Sequence, residues 1–338
     1  MIKPAKNPRI SVLMTAYNDA AFAKESIESI LSQTFDDFEF IVVDDGSTDS
    51  TGPLLHTLSD KRLKIILTTH IGRPKALNLA LAEARGEYIA LQDADDIAHP
   101  ERLRRQVDFL ESHRSIGYLG TGLTIINEKG GRIRDYAYPS DPAEIRRLLD
   151  GMFNPLPQPS LLLRAEVLAS SGGYDPFFRN SEDYDLHLRL TERHSASCLP
   201  EPLLKYRLRM NSLSHDDAPD SATRYSMFAR MLAGIRRGEV PRPPNSDKEE
   251  LYREFSLWFD KERLSEIYHA SQNRRRAMVE FSLGHIIRPA YYAGLSAIQD
   301  PHGAWGFLTG RRVLRWNRER ERSLREFLTE KPQMKRPI

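Results

Sequence analysis

The chain has 338 residues, of which 40% are hydrophobic and 28% are charged, which is ordinary for a soluble globular protein. The net charge of +2 hides an uneven distribution, because residues 1–219 carry 26 basic and 32 acidic side chains and residues 220–338 carry 23 and 15. The single Cys198 excludes an internal disulfide, and no segment resembles a secretory signal or an apolar membrane span, so we expect a cytoplasmic protein.

Three predicted strands end in acidic or polar side chains, and a helical pattern follows each of them. Strands that alternate with helices predict a mostly parallel sheet, and such sheets bind ligands just beyond the carboxyl ends of their strands. One edge should therefore carry at least four carboxylates around one crevice, where a metal ion and hydrogen-bond donors would offset their repulsion. The strands are residues 10–14, 38–43 and 88–92, and the segments after them are Thr15-Ala16-Tyr17-Asn18, Asp44-Asp45-Gly46-Ser47 and Asp93-Ala94-Asp95-Asp96.

The first hundred residues predict the order βαβαβαβ, and a looser pattern of strands and helices continues to residue 208. An amphipathic helix is predicted over residues 21–33 with Asn18 or Asp19 as its cap, and Gly86 is expected to end a later helix. The remaining predicted elements are a strand at 63–67, a helix after Pro100, strands at 116–127 and 132–138, a helix at 141–150, a strand at 160–163, a helix at 184–194 and a strand at 203–208.

The C-terminal third of the chain differs from the rest in composition. Residues 240–246, with three prolines, indicate a linker or sharp break, and residues 311–325 contain seven arginines and two glutamates. This basic segment is either a helix packed on the preceding domain with a solvated face, or a helix lying on anionic lipid. Nucleic-acid binding is less favoured because no binding motif accompanies the charge. We predict two domains, residues 1–218 and residues 219–338, the second basic and mainly helical.

The segment Asp93-Ala94-Asp95 directly follows an apolar strand, which makes it a candidate site for a cation and a ribose. One carboxylate can reach a ribose while the other ligates a hard cation that bridges a diphosphate, a mixture of ligands that Mg²⁺ and Mn²⁺ favour. The alternative is that Asp95 or Asp96 caps the turn before Pro100. Asp45, after the second strand, can accept hydrogen bonds from a nucleobase or ribose, or it can simply form a turn.

Other polar side chains near this edge are candidates for ligand binding and proton transfer. Thr15 and Tyr17 end the first strand, where a hydroxyl and a ring could meet a base. Arg73 and Lys75 follow the third strand and would offset the carboxylates and meet phosphate, unless they form a solvated loop. Asp183, near the start of a predicted helix, is a candidate general base, or else an acid favoured there by the helix dipole.

Four segments in this order resemble the family-2 inverting glycosyltransferases with the GT-A fold. The resemblance covers roughly residues 9–215, and four ordered blocks are far more specific than any one of them. It implies an α/β fold with a mostly parallel mixed sheet flanked by helices, followed here by a helical C-terminal extension. The four segments are residues 11–18, 41–49, 84–96 and 181–186.

The resemblance implies a role for each matching position. Asp93 would lie near the ribose and the metal, Asp95 would be the direct metal ligand, and Asp183 would be the catalytic base. Many relatives carry a His where Arg209 stands, and an arginine cannot ligate a metal but can meet the diphosphate directly. The positions that match the base-binding side, usually for uracil, are Thr15, Tyr17 and Asp45, with Arg73 in a loop that often contributes a basic group.

These roles predict transfer of a sugar from a nucleotide-sugar, UDP-linked by resemblance, to an acceptor hydroxyl, with inversion and with Mn²⁺ or Mg²⁺ as cofactor. A glycan or lipid-linked acceptor is expected, as in surface polysaccharide or glycolipid assembly, with peripheral binding to the inner membrane face through the basic C-terminal helices and no nucleic-acid partner. The alternatives are a non-catalytic nucleotide-sugar or glycan-binding module on the same scaffold, and a sugar-1-phosphate nucleotidyltransferase. The latter needs a Gly-rich, Arg-containing loop after the first strand, which is absent. An oxidoreductase would need G-x-G-x-x-G, also absent.

Overall fold

The computed structural model describes residues 7–209, 221–239 and 247–261. The predicted domain boundary after residue 218, the predicted break at 240–246 and the basic segment at 311–325 lie outside these stretches and stay predictions. No helix in the three stretches combines the length and the apolar character that a membrane span needs.

Strands and helices alternate along the first hundred residues, as the sequence pattern predicts. All seven residues of the second strand are buried, which is typical of a central strand whose two faces are both covered. The elements are β1 (Ile10–Ala16), α1 (Ala23–Leu31), β2 (Phe38–Asp44), α2 (Thr51–His56), β3 (Leu63–Leu67), α3 (Arg73–Glu83) and β4 (Tyr88–Asp93).

A mixed set of elements follows, including a β-hairpin formed by the two strands predicted at 116–127 and 132–138. The side chain of Asn127 closes this hairpin by accepting hydrogen bonds from the N–H groups of Lys129 and Gly131. The elements are β5 (Ile97–Ala98), α4 (Arg102–Ser112), β6 (Ile116–Ile126), β7 (Arg132–Tyr136), α5 (Pro142–Asp150), β8 (Leu162–Arg164), α6 (Ala165–Ser170), α7 (Glu182–Leu190), β9 (Ser195–Arg207), α8 (Ser221–Arg236) and α9 (Lys248–Lys261).

The described strands form one mixed sheet in the order β3-β2-β1-β4-β8-β6-β9-β5, with β7 paired to β6. The long pairings β1–β2, β1–β4, β2–β3 and β6–β9 are parallel, and the shorter ones are antiparallel. The predicted mostly parallel sheet is therefore confirmed. The strands β1, β2 and β4, which are followed by the acidic or polar segments, lie together in the β3-β2-β1-β4 half of the sheet.

The last strand is longer than its sequence pattern predicts. β9 begins at Ser195, whereas the sequence pattern predicts a strand only over residues 203–208. The added part contains Pro200 and Pro202, which cannot donate a hydrogen bond to a neighbouring strand. The sheet accommodates the prolines through a shift in register against β6, where Gly122 pairs with Pro202. A side chain at Gly122 would meet the backbone oxygen of Pro200 at 2.6 Å, so only glycine permits this close approach.

Three other boundaries differ from the predictions. The predicted strand at 160–163 is a 3-10 turn at Gln158–Ser160 followed by β8, and α7 spans Glu182–Leu190 rather than residues 184–194. Gly86 does not end α3, which stops at Glu83. Glycine is required at position 86 because a Cβ there would lie 2.4 Å from the backbone nitrogen of Ser11 on β1.

The chain divides into two compact units, and the two last described helices, α8 and α9, lie in the second. They pack through aromatic rings, with Tyr225 stacked on Tyr252 at 5.0 Å and Phe228 against Phe255 at 5.5 Å. Their presence agrees with the predicted helical C-terminal region. The units are residues 1–149 with 154–208, and residues 150–153 with 209–338.

We expect His187 on α7 to make folding sensitive to acid. Burial lowers the pKa of His187 from 6.5 to about 4, and its Nε2 lies 3.1 Å from the backbone oxygen of Leu156. Because the unfolded chain takes up the proton first, the stabilisation is present above about pH 6.5 and is lost as pH falls toward 4. Between pH 7 and pH 5 this group should remove about 2 kcal/mol from the free energy of unfolding.

The variant His187→Gln keeps a hydrogen-bond donor at this position but does not titrate. Urea unfolding of both proteins at pH 7 and pH 5 isolates the contribution, because all other titrating groups are shared. We expect the variant to lose about 2 kcal/mol less than the wild type over this interval. Equal losses in the two proteins would contradict the assignment.

Candidate active site

The carboxyl ends of β1, β2 and β4 meet at one edge of the sheet. β1 lies between β2 and β4, and Thr15 is in register with Val43 on one side and Asp93 on the other. The next residue, Ala16, lies opposite Asp44. The parallel register therefore places the polar segments that follow these strands next to one another.

Hydrogen bonds join the segment after β1 to the segment after β2. Asn18 has a φ of 55°, a conformation that asparagine tolerates, and its Oδ1 accepts from the N–H groups of Thr48 at 2.8 Å and Asp49 at 3.2 Å. Neither Asn18 nor Asp19 caps α1 with its side chain, contrary to the sequence expectation. The amide of Asn18 is instead used to hold the two loops together.

Tyr17, Asp45 and His70 form a connected group beside these loops. The ring of Tyr17 stacks on the ring of His70 with centroids 4.1 Å apart, and Nδ1 of His70 lies 3.5 Å from Oδ2 of Asp45. The buried Asp45 carboxylate also accepts hydrogen bonds from the N–H groups of Ile71 at 2.7 Å and Gly72 at 3.0 Å. Asp45 therefore positions the segment that leads into α3, while 58% of the His70 side chain is exposed.

Gly46 allows the segment after β2 to approach the His70 loop. Its φ is +76°, and a Cβ at this position would lie 2.4 Å from the backbone nitrogen of His70. Any side chain would therefore be strained both by the backbone conformation and by the contact. Gly46 is therefore needed both for the turn after β2 and for the close approach of that turn to the backbone of His70.

Arg73, at the start of α3, links the end of β4 to the start of α7. Its Nη2 lies 2.6 Å from Oδ1 of Asp93, and its Nε lies 3.6 Å from Oε1 of the buried Glu182. Burial raises the pKa of Asp93 to about 6, which Arg73 opposes and the charges of Asp95 and Asp183 reinforce. Burial also raises the pKa of Glu182 to about 7, against the opposing charge of Arg73.

Asp183 follows Glu182 in the first turn of α7 and is partly exposed. Its Oδ2 accepts a hydrogen bond of 3.0 Å from Nδ2 of Asn154. The other acid of this segment is used differently, because Asp185 is buried and pairs at 2.7 Å with Arg189 one turn later. Of Asp183 and Asp185, only Asp183 is exposed enough to meet a ligand.

Asp95 and Asp96 form the turn after β4, and their environments differ. Asp95 is partly exposed, whereas Asp96 is fully buried and its Oδ1 accepts from the backbone N–H of Arg207 at 2.8 Å. Burial and the charges of Asp95 and Asp93 raise the pKa of Asp96 well above its usual range. Asp96 is therefore an internal group, and Asp95 is the acid of this turn that a cation can reach.

The two remaining predicted cations are Lys75 and Arg209. Lys75 is exposed on α3 and forms no ion pair within the described stretches of the chain. Arg209 is the last described residue before residue 221 and belongs to the second compact unit. Its predicted role at a diphosphate stays a prediction.

The donor set of the edge suits a hard divalent cation that takes most of its ligands from phosphate and water. Arg73 contacts Asp93 and Glu182, and the charges of Asp95 and Asp183 also act on Asp93, so four acids lie close together at this edge. No group of three or more His, Cys, Asp or Glu side chains among the described residues forms a ready-made cage. Mg²⁺ and Mn²⁺ need no such cage when substrate oxygens complete the shell.

Four residues of this edge escaped the sequence reasoning. Glu182 was adjacent to the predicted base and could have been singled out for that reason, although its polar neighbours in the sequence do not indicate a buried acid. His70 lies just before the Gly72 turn, but nothing local shows that it stacks on Tyr17. The positions that no local signal could have found are Asn154 and Arg207, which contact the site across the fold.

Comparison with known sequences agrees with this arrangement. The sequence model of the family described as "Glycosyl transferase family 2" matches residues 11–168. The chain is 35% identical to the O-antigen biosynthesis glycosyltransferase WbnJ of Escherichia coli over 60% of this chain and 81% of that protein. It is 38% identical to the putative glycosyltransferase EpsE of Bacillus subtilis over 55% of this chain and 67% of that protein.

Solved structures share the fold. TarS 1–349 of S. aureus, in complex with UDP-GlcNAc, aligns over 97% of this chain and 93% of its own with a TM-score of 0.57 and 19% identity. The mannosyltransferase PcManGT of Pyrobaculum calidifontis, in complex with GDP-Man and Mn²⁺, aligns over 95% and 88% with a TM-score of 0.52 and 17% identity. With its sheet, its acidic strand ends and these relatives, the chain belongs to glycosyl transferase family 2 and is a glycosyltransferase of the GT-A fold.

Proposed function

We propose that this glycosyltransferase is metal-dependent and inverting, and that it moves a sugar from a UDP-linked donor to an acceptor hydroxyl in surface polysaccharide or glycolipid assembly. The observation that supports the proposal is the contact of Arg73 with both Asp93 and Glu182, because Asp183 follows Glu182 and its charge acts on Asp93 at the end of β4. A diphosphate-binding group and a candidate base then face the same crevice. Family membership favours transfer over a binding module or a nucleotidyltransferase.

The nucleotide would occupy the side of the edge that β1 and β2 form. Tyr17 and His70 supply aromatic surface, Thr15 supplies a hydroxyl, and Asp45 holds the segment beneath them. UDP is proposed because TarS has been solved in complex with UDP-GlcNAc. The alternative nucleotide is GDP, because PcManGT has been solved in complex with GDP-Man. The acceptor class is proposed because the relative WbnJ is named for O-antigen biosynthesis.

Asp183 would take the proton of the acceptor hydroxyl while that oxygen attacks the anomeric carbon from the face opposite the nucleotide. Asn154 donates to Oδ2 of Asp183 and so orients the carboxylate toward the acceptor. Asp95 and Asp93 would hold Mn²⁺ or Mg²⁺, which would supply positive charge at the departing diphosphate. Arg73 keeps Asp93 in place, and Lys75 or Arg209 would meet phosphate oxygens.

Thermal-shift and transfer assays with UDP-, GDP- and TDP-sugars test this function directly. We expect one nucleotide class to stabilise the protein, with a markedly larger shift in the presence of Mn²⁺ or Mg²⁺, and we expect release of the nucleoside diphosphate when an acceptor glycan is added. The product linkage, read by NMR, should have the anomeric configuration opposite to that of the donor. Turnover that persists in excess EDTA would exclude the metal dependence.

We expect His70→Ala to weaken nucleotide binding about tenfold, because a stacked aromatic ring contributes about 1–3 kcal/mol to base binding. His70→Phe keeps the ring and should retain most of the affinity. Calorimetry with UDP and Mn²⁺ measures both variants, and exposed His113, which stacks on Phe109 on α4, is the matched control. Equal affinities for His70→Ala and His113→Ala would remove His70 from the base site.

The proposed membrane association rests on composition alone. The basic segment at residues 311–325 lies outside the described residues, so its contact with anionic lipid stays a proposal. Cosedimentation of the full chain with vesicles that contain anionic or only zwitterionic lipid separates the two readings of this segment.

A further inference from the structure

Arg207, the last residue of β9, contacts the turn after β4. Its side chain is only 3% exposed, so it is enclosed by protein rather than open to the crevice. Its Nε donates to the backbone oxygen of Asp95 at 2.8 Å, and its own N–H donates to Oδ1 of Asp96 at 2.8 Å. One residue therefore holds two consecutive positions of the proposed diphosphate-binding turn.

The rest of the guanidinium is anchored to elements on either side of this turn. Nη1 donates to the backbone oxygen of Glu128 at 2.9 Å in the β6–β7 hairpin, and Nη2 donates to Glu25 on α1 at 2.7 Å. The guanidinium carbon lies 4.9 Å from the ring centre of Phe22. A planar group with donors at fixed angles is suited to such a junction, whereas a lysine would reach fewer partners.

The turn has a second internal brace, which leaves Asp95 as its outer member. Nε2 of the buried Gln92 donates to the backbone oxygen of Asp96 at 2.9 Å, and the N–H of Asp96 donates to the backbone oxygen of Asp93 at 3.3 Å. Asp96 is wholly buried while Asp95 is partly exposed. The conformation of the turn is thus determined from inside the protein.

We propose that Arg207 is a positioning residue for the transfer reaction, which sets the position of Asp95 for the cation and diphosphate without contacting substrate. This inference rests on the proposed function, in which Asp95 is a ligand of the cation. Loss of the guanidinium would remove the hydrogen bonds that Arg207 donates to the partly buried backbone oxygens of Asp95 and Glu128. The turn would then sample other conformations, and the carboxylate of Asp95 would move with it.

The matched control is Arg62, which has the same kinds of contact at a remote place. It lies over the ring of Phe38 at 4.5 Å, donates to the backbone oxygen of Leu31 at 2.8 Å and pairs with Asp60 at 2.9 Å. Arg62→Met therefore removes a structural arginine of similar type without touching the turn. A general loss of stability should appear in both Arg62→Met and Arg207→Met.

The test combines amide hydrogen exchange with UDP titration of the full chain, with and without Mn²⁺, for wild type, Arg207→Met, Arg207→Lys and Arg62→Met. In Arg207→Met we expect exchange of residues 94–97 to accelerate at least about tenfold and UDP affinity in Mn²⁺ to fall about 10–100-fold. Metal-free UDP affinity should change less than about threefold, because the base side is untouched. Arg207→Lys should recover part of both losses, and Arg62→Met should show neither.

Two results would overturn the inference: wild-type exchange of residues 94–97 in Arg207→Met, or equal changes in Arg62→Met. If Arg207→Met fails to fold, Arg207→Lys tests the proposal in its place. Amide exchange of residues 94–97 and a response of UDP affinity to Mn²⁺ that both equal those of the wild type would then count against the proposal. A wild type whose UDP affinity ignores Mn²⁺ would contradict the proposed metal dependence instead. In that case the exchange comparison still decides whether Arg207 holds the turn.

Discussion

Replacement of Asp183 by Asn is expected to lower the rate of sugar transfer by about 10²–10⁴-fold while leaving the donor bound with nearly wild-type affinity. The amide has the same shape as the carboxylate but cannot accept the proton of the acceptor hydroxyl. Asn154 can still hydrogen-bond to the retained side-chain oxygen, so the local geometry should survive. Single-turnover transfer and donor calorimetry measure the two effects separately.

The neighbouring acid on the same helix provides the matched control. Asp185 is buried and paired with Arg189, so Asp185→Asn removes a buried ion pair and should lower the melting temperature. Its transfer rate per folded molecule should stay close to that of the wild type, because Asp185 does not face the crevice. Substantial turnover in Asp183→Asn, or a comparable loss in Asp185→Asn at a temperature where both fold, would remove Asp183 from the base role.

Asp95→Asn should remove both transfer and metal-assisted donor binding. The amide oxygen is a weaker ligand for a hard cation than a carboxylate, and the charge that attracts the cation is lost. We expect transfer to fall about 10³-fold and UDP affinity in Mn²⁺ to fall at least about tenfold, whereas metal-free UDP affinity should be unchanged. This pattern differs from that of Asp183→Asn, which leaves donor binding intact.

Asp135→Asn serves as the control for Asp95→Asn. Asp135 is an exposed acid on β7 that pairs with Arg132 at 2.8 Å, so its removal changes the charge of the protein by the same amount elsewhere. Titrations with Mn²⁺ and with Mg²⁺ should match those of the wild type. If Asp95→Asn keeps the Mn²⁺ response of the wild type, another group must hold the cation.

The local sequence pattern was sufficient to predict the strands of the parallel sheet and the edge at which their carboxyl ends meet. The apolar runs before Thr15, Asp45 and Asp93 have lengths and compositions typical of strands, and parallel strands place their carboxyl ends on one edge whatever the loops do. The later strands were harder, because Pro200 and Pro202 break the local pattern of β9, and only its pairing with β6 makes the strand continuous.

Residue chemistry was predicted less completely than residue location. Asp45 was expected to meet a nucleobase, and the structure shows in addition that it accepts from the N–H groups of Ile71 and Gly72. Arg73 was expected to meet phosphate, and it contacts Asp93 and Glu182. A side chain with several donors or acceptors has several possible partners, and sequence alone does not rank them.

By itself the sequence determined the alternation of strands and helices, the family resemblance and the clustering of acids at strand ends, because each depends on residues close together in the chain. The tertiary structure alone decided which acid is exposed and which cation each one meets. Asp95 and Asp96 are adjacent in sequence, yet one lies partly open and the other is enclosed by Arg207 and Gln92. Such differences arise from packing that includes segments far apart in the chain, such as β9 against the turn after β4, and burial there changes the free energy of a charge far more than its local neighbours do.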